Sequence, residues 1–160
     1  MSRAISIVTL FSALGCGLIG GVFFAFSTFV MPALGRIPAA QGIAAMQSIN
    51  VAVINRWFLA AFMGTALICL VLAGSSIFTW AEPGARMRLA GCLAYLIGTI
   101  LVTFAFNIPR NDALAAVTPD SAEAAGVWAK YLVEWTRWNS ARTIGALVAA
   151  ALLILAHSRT

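Results

Sequence analysis

The stretch YLVEWTRWNSAR, from Tyr131 to Arg142, holds the side chains of this sequence best suited to chemistry. On a helix, Trp128, Tyr131, Trp135, Trp138, Asn139 and Arg142 fall within an arc of about 100°, because spacings of three, four and seven follow one helical face. Lys130, Glu134 and Arg137 fall beside or behind that arc. Flat aromatic faces and N–H donors on one face are the material of a binding wall. The same residue types also anchor helices at a membrane surface, so the elements that carry them have to be identified before either reading is chosen.

Those elements follow from the charge pattern. The chain has 160 residues, of which 62% are hydrophobic and 9% charged. Positions 4–35, 57–81, 89–109 and 143–158 contain no Lys, Arg, Asp or Glu. A membrane-crossing helix needs roughly 17–25 predominantly apolar residues. The pattern predicts an all-α fold, a four-helix transmembrane bundle in one integral-membrane domain over residues 1–160, with spans at about 4–31, 57–80, 88–107 and 139–157. The fourth run is the shortest, and Arg142 and Arg159 at its ends can extend to the headgroups.

A formal net charge of +5 does not point to nucleic acid, because the basic residues are scattered over helix ends and loops and form no patch. They read as flanks facing a lipid bilayer. Cys16, Cys69 and Cys92 each fall within a span and form no CxxC pair, which predicts free buried thiols. Arg3 followed by an apolar run resembles a secretory signal, but the run continues past Cys16 to Met31, so it is expected to remain as the first span. GCGLIG at 15–20 matches GxGxxG in letters only, since it lies mid-span instead of between a strand and a helix. Ala13, Gly17, Gly21 and Ala25 place a small residue every fourth position, a ridge that lets another helix approach and a candidate homo-oligomer contact.

Residues 37–55 are uncharged but carry two Gln and two Asn, which suits an interfacial amphipathic helix between the first two spans better than burial in lipid. On it Ile43, Met46, Asn50 and Val53 share a face. Pro109 is expected to end the third span, gathering Asn107, Arg110 and Asn111 at one surface. Thr118-Pro119-Asp120 reads as the start of a long fourth helix that extends outside the membrane before crossing it. This topology puts Asn50, Asn55, Arg56, Asn107, Arg110, Asn111, Trp135, Trp138, Asn139 and Arg142 at one end of the bundle. His157 lies at the other end, as a dipole partner for the last carbonyls, and neither a metal-ligand set nor a Ser-His-Asp set can be assembled. Short basic flanks at Arg3, Arg86, Arg88 and Arg159 favour both termini in the cytoplasm, in a bacterial inner membrane.

GGVFFAFSTFVMPAL at 20–34, MQSIN at 46–50, FNIPRNDALA at 106–115 and WTRWNSART at 135–143 together resemble the anthrone oxygenase-like family of small integral-membrane proteins. The resemblance implies a four-helix membrane protein that oxidises anthrones to anthraquinones with dioxygen, without a metal or flavin cofactor. Ser140 stands where it implies a histidine. An anthrone is a carbon acid whose enolate reacts with dioxygen directly, so the protein need supply a base, donors for the oxyanion and an apolar slot. Arg142, Arg110, Asn139 and the Trp138 indole are candidate donors, each worth about 3–4 kcal/mol in a well-formed oxyanion site. Glu134 or Asp112 is the candidate base. The expected catalytic set is therefore Arg142, Asn139 and Glu134, with Trp135, Trp138, Tyr131, Asn107, Arg110, Asn111 and Asn50 binding a small hydrophobic aromatic ligand. The alternative is a non-catalytic membrane protein that binds a small hydrophobic ligand or serves as an assembly partner.

Overall fold

Lacking charge over long stretches, the chain folds into helices whose apolar sides outnumber the partners available inside. The computed structural model describes residues 3–159, and among these residues there are five helices and no strand. They are α1 Arg3–Leu34, α2 Ala39–Ala52, α3 Arg56–Phe78, α4 Ala85–Ala115 and α5 Ala124–His157. All but α2 are long and apolar enough to cross a membrane. Phe11, Leu14, Leu18, Leu67, Leu70 and Val71 are each at least 60% exposed. A surface this apolar belongs in a bilayer, where it costs nothing, and the chain is an integral membrane protein. At 1.5 Å per residue, the 34-residue α5 is about 50 Å long against a hydrocarbon core of about 30 Å, so it extends beyond the membrane.

Two cores lie along α5. The first is built from the four spanning helices and includes Cys16, Ile19, Cys69, Cys92, Tyr95 and Leu153. The second joins Met31, Ile43, Met46, Leu114, Trp128 and Tyr131, and is where α2 docks. The Gln47 amide fixes that docking by donating to the Leu114 and Val117 carbonyls, both at 2.9 Å. Gly42 lies directly on the Trp128 indole, and a Cβ there would come within 2.7 Å of the ring. Asn55 turns the chain from α2 into α3 by capping it, its side-chain oxygen accepting from the Trp57 and Phe58 N–H groups.

Where α4 crosses α5, Gly98 faces Gly145, and a Cβ on Gly145 would fall 2.7 Å from the Gly98 carbonyl carbon. Only glycine at both positions permits this approach. The ridge expected on α1 divides differently. Ala13 is buried within the bundle, whereas a Cβ on Gly17 or Gly21 would meet nothing within 4 Å.

Two sequence expectations are corrected. Pro109 does not end α4, and Pro32 likewise lies within α1, which ends at Leu34. Each follows a widened π-helical turn, Thr103–Asn107 and Phe26–Val30, in which the N–H of the residue before proline (Ile108, Met31) pairs with the carbonyl five residues back. The register has already shifted there, so the N–H that proline lacks interrupts no ladder, and the wide turn accommodates its ring. Thr118-Pro119-Asp120 does not cap α5, which begins at Ala124. It forms a turn closed by the Ser121 N–H to the Thr118 carbonyl at 3.1 Å, with Pro119 at the second position, where its fixed φ suits a turn. His157 reaches across to Ser6 of α1, its Nδ1 lying 3.0 Å from the hydroxyl and 3.2 Å from the carbonyl.

Candidate functional site

Between the two cores lies a cavity of about 270 Å³ walled by all five helices. From the first core come Phe23 of α1 and Phe62 of α3, and from the second Met46 of α2 and Trp135 of α5. Both widened turns border it, through Phe26 on one side and through Thr103 and Phe104 on the other. The wall is apolar except for Asn50, Thr103, Asn111 and Arg142.

Arg142 is the single charge on that wall, and it is 5% exposed. One terminal nitrogen donates to Asn139 Oδ1 at 2.7 Å and the other to Thr103 Oγ1 at 3.2 Å, while Nε is buried and has no partner. Its guanidinium lies over Phe23 at 4.1 Å and near the Trp135 ring at 5.3 Å. Among the described residues no carboxylate pairs with it. Rings on both sides offset part of the cost of burying the cation.

Asn139 holds this arrangement from behind. Its Nδ2 donates to the Phe23 carbonyl at 2.6 Å and to Ser27 Oγ at 2.7 Å, which leaves Oδ1 pointing at Arg142. It positions the guanidinium and does not itself line the cavity. Further out, Asn111 Oδ1 accepts from both the Tyr131 hydroxyl, at 2.9 Å, and the Trp135 indole N–H, at 2.7 Å. Asn111 also lines the cavity. Asn107, 1% exposed, donates to the Trp135 carbonyl at 3.2 Å and keeps that turn of α5 against α4.

Of the residues expected from the sequence, Asn50, Asn111, Trp135 and Arg142 meet on the cavity wall, with Tyr131, Asn107 and Asn139 directly behind them. Glu134, Arg110 and Trp138 do not join them. Glu134 pairs with Arg110 at 3.1 Å and, more loosely, with Lys130 at 3.9 Å. Trp138 stacks on Phe106 with ring centroids 3.6 Å apart, on the outer flank of α4 and α5. Asp112 is exposed and lines no part of the cavity. Ser140 also lies off the wall, bonding to Ser27 and the Thr136 carbonyl between α5 and α1. The position where the resemblance implies a histidine thus faces a helix contact in this chain.

Sequence reasoning missed Phe23, Phe26, Phe58, Phe62 and Thr103 as wall residues. The first two sit inside the VFFAFSTFVMP segment at 22–32, whose density of phenylalanine before a proline was the available signal. A family model described as anthrone oxygenase matches residues 54–152, more than half of the chain. The match takes in FNIPRNDALA and WTRWNSART and stops short of the strings at 20–34 and 46–50. No curated protein and no solved structure matches. With both α4 and α5 wall segments inside the matched region, the chain belongs to the anthrone oxygenase family.

Proposed function

We propose that this protein oxidises a planar, lipid-soluble, phenolic or anthrone-like substrate with dioxygen, holding it in the cavity as an enolate whose oxygen lies against Arg142. One observation carries the reading: a buried guanidinium with no carboxylate partner and an uncommitted Nε, on the wall of an apolar cavity. Such a group favours the anion over its neutral parent, because it supplies in advance the charge that ionisation of the substrate requires.

The chemistry balances without a resident cofactor. The substrate methylene loses a proton to give the enolate, which passes electron density to dioxygen and forms a carbon–oxygen bond. The resulting hydroperoxide loses its second carbon-bound hydrogen as the O–O bond breaks, giving the ketone and hydroxide. Hydroxide and the released proton make water, so one dioxygen gives one quinone oxygen and one water. Trp135 and Phe23 would hold the ring plane, and Asn111 would donate to a second oxygen. Among the described residues no carboxylate lines the cavity, and in this reading the first proton passes to water.

The absence of a carboxylate base also favours a second reading, in which the cavity retains a hydrophobic ligand and leaves it unchanged. The same experiment separates the two. Purified protein in lipid nanodiscs, supplied with an anthrone under oxygen, should form anthraquinone above the spontaneous rate, and Arg142→Gln should lower that excess about 100-fold. A rate equal to the spontaneous one across a panel of related phenols would leave ligand retention as the function. On the charge of the short flanks, we place both termini in the cytoplasm of a bacterial inner membrane, with the open Gly17 and Gly21 edge of α1 as the contact of a homo-oligomer.

A further inference from the structure

We infer that the cavity fills sideways from the bilayer, through a portal between α3 and α4 rimmed by Leu59, Met63 and Phe104, and admits planar arenes that carry a single acidic oxygen. The inference rests on reading the cavity as the binding site.

The rim residues carry the first step. Leu59, Met63 and Phe104 line the cavity and are nevertheless 40%, 43% and 53% exposed on the outer surface of the bundle. A residue that is on both surfaces marks an opening. The helices explain why it lies here. A short turn joins α3 to α4, and they pack together past the Tyr95 hydroxyl, which donates to the Phe62 carbonyl at 3.1 Å, into a first widened turn at Leu96–Leu101. Beyond it α4 enters a second widened turn at Thr103–Asn107 and crosses towards α5, held there by Arg142 and Asn107, so the two helices diverge.

The chemistry of the rim decides what can pass. All three side chains are apolar, and the nearby Ile54 is 71% exposed as well. Water gains no hydrogen bond at such a mouth, whereas a solute already dissolved in the acyl chains passes it without being desolvated twice. The interior then limits the substrate. Arg142 is the sole charge on the wall, so one anionic oxygen finds a partner there, and a second would be buried unpaired. The ligand class is a membrane-partitioned aromatic with one acidic hydroxyl or enol at its edge.

The test uses full-length protein in phosphatidylcholine nanodiscs and 1-hydroxyanthraquinone, a planar phenol with no methylene to oxidise, followed by its own absorbance. At a fixed free aqueous concentration of probe, the association rate should rise with the probe's partition coefficient as the acyl chains of the phosphatidylcholine are varied. A rate that instead follows the free aqueous concentration overturns the portal. Met63→Trp combined with Phe104→Trp should slow association at least tenfold with less than a threefold change in equilibrium affinity. Phe78→Trp, at an exposed site remote from the rim, should leave it unchanged. Leu59→Trp alone serves if the double variant fails to fold. A disulfonated anthraquinone should bind at least a hundredfold more weakly, and equal affinity would overturn the one-oxygen limit. Absence of any binding by the wild-type protein overturns the inference as well, whereas the oxidation reading stands or falls separately on quinone formation from an anthrone.

Discussion

At the scale of single residues, Arg142 poses an energetic question that its neighbours only half answer. Removing a guanidinium from water costs several kcal/mol, and neutral partners such as Asn139 and Thr103, with two flanking rings, offset part of that. A residue retained purely for stability would be expected to have a carboxylate. Arg142→Met should therefore abolish quinone formation, by about 100-fold or more, while leaving the thermal midpoint of the detergent-solubilised protein unchanged or raised. A parallel loss of both would mean the cation serves the fold. Arg142→Lys should recover little activity, since an ammonium neither forks between Asn139 and Thr103 nor stacks on the rings. Glu134→Gln is expected to keep activity within twofold and to cost at most about 1 kcal/mol of stability, because the Arg110 pair it breaks lies partly in solvent outside the cavity. A large loss of activity with Glu134→Gln would return it to the role of base.

At the scale of elements, the wall depends on helices being brought closer, or held wider, than side chains usually allow. Gly98 and Gly145 set the first kind of contact, and the π-helical turns at Phe26–Val30 and Thr103–Asn107 set the second. Gly145→Ala would push its Cβ into the Gly98 backbone, and overpacking of this kind costs about 1–3 kcal/mol. The expected result is a lower melting temperature together with weaker ligand binding, because Thr103 and Arg142 sit on the two helices being separated. Gly42→Ala meets the Trp128 ring instead and should loosen α2, detected as faster proteolysis between α1 and α3. Which of these elements could be read from the sequence depended on the signal each one leaves. The spans were legible because a bilayer excludes charge, and 57–81 and 89–109 declare that directly. The passage of α4 through Pro109 was not, since a shift from four-residue to five-residue hydrogen bonding has no compositional mark. Thr118-Pro119-Asp120 failed for the opposite reason: its residues suit a helix cap and a turn equally well.

For the whole molecule, the layering is the organising fact: a lipid-facing exterior, two cores and one cavity between them. The arc on α5 joined Trp135 and Arg142, which border the cavity, with Tyr131 and Asn139, which lie behind them. Trp138 lay at the edge of that arc, and small angular differences decided that it faces Phe106 and not the cavity. The α1 and α3 contributions stayed hidden because in a spanning helix apolar residues face lipid and partners alike, so Phe62 has no pattern that distinguishes it from Leu67. The open edge of α1 bears on assembly. Gly17→Leu with Gly21→Leu introduces no clash within the chain, so the protein should fold and bind ligand normally. Its mass in detergent, measured by light scattering, should fall to that of a monomer if that edge joins two copies. One further property follows from how the first core is filled. Cys16, Cys69 and Cys92 are all free and all 0% exposed. The natural chain is therefore a silent background for thiol chemistry, and a single cysteine placed at Leu59 or Phe104 could carry a spin label or fluorophore to the portal with all three native cysteines left in place.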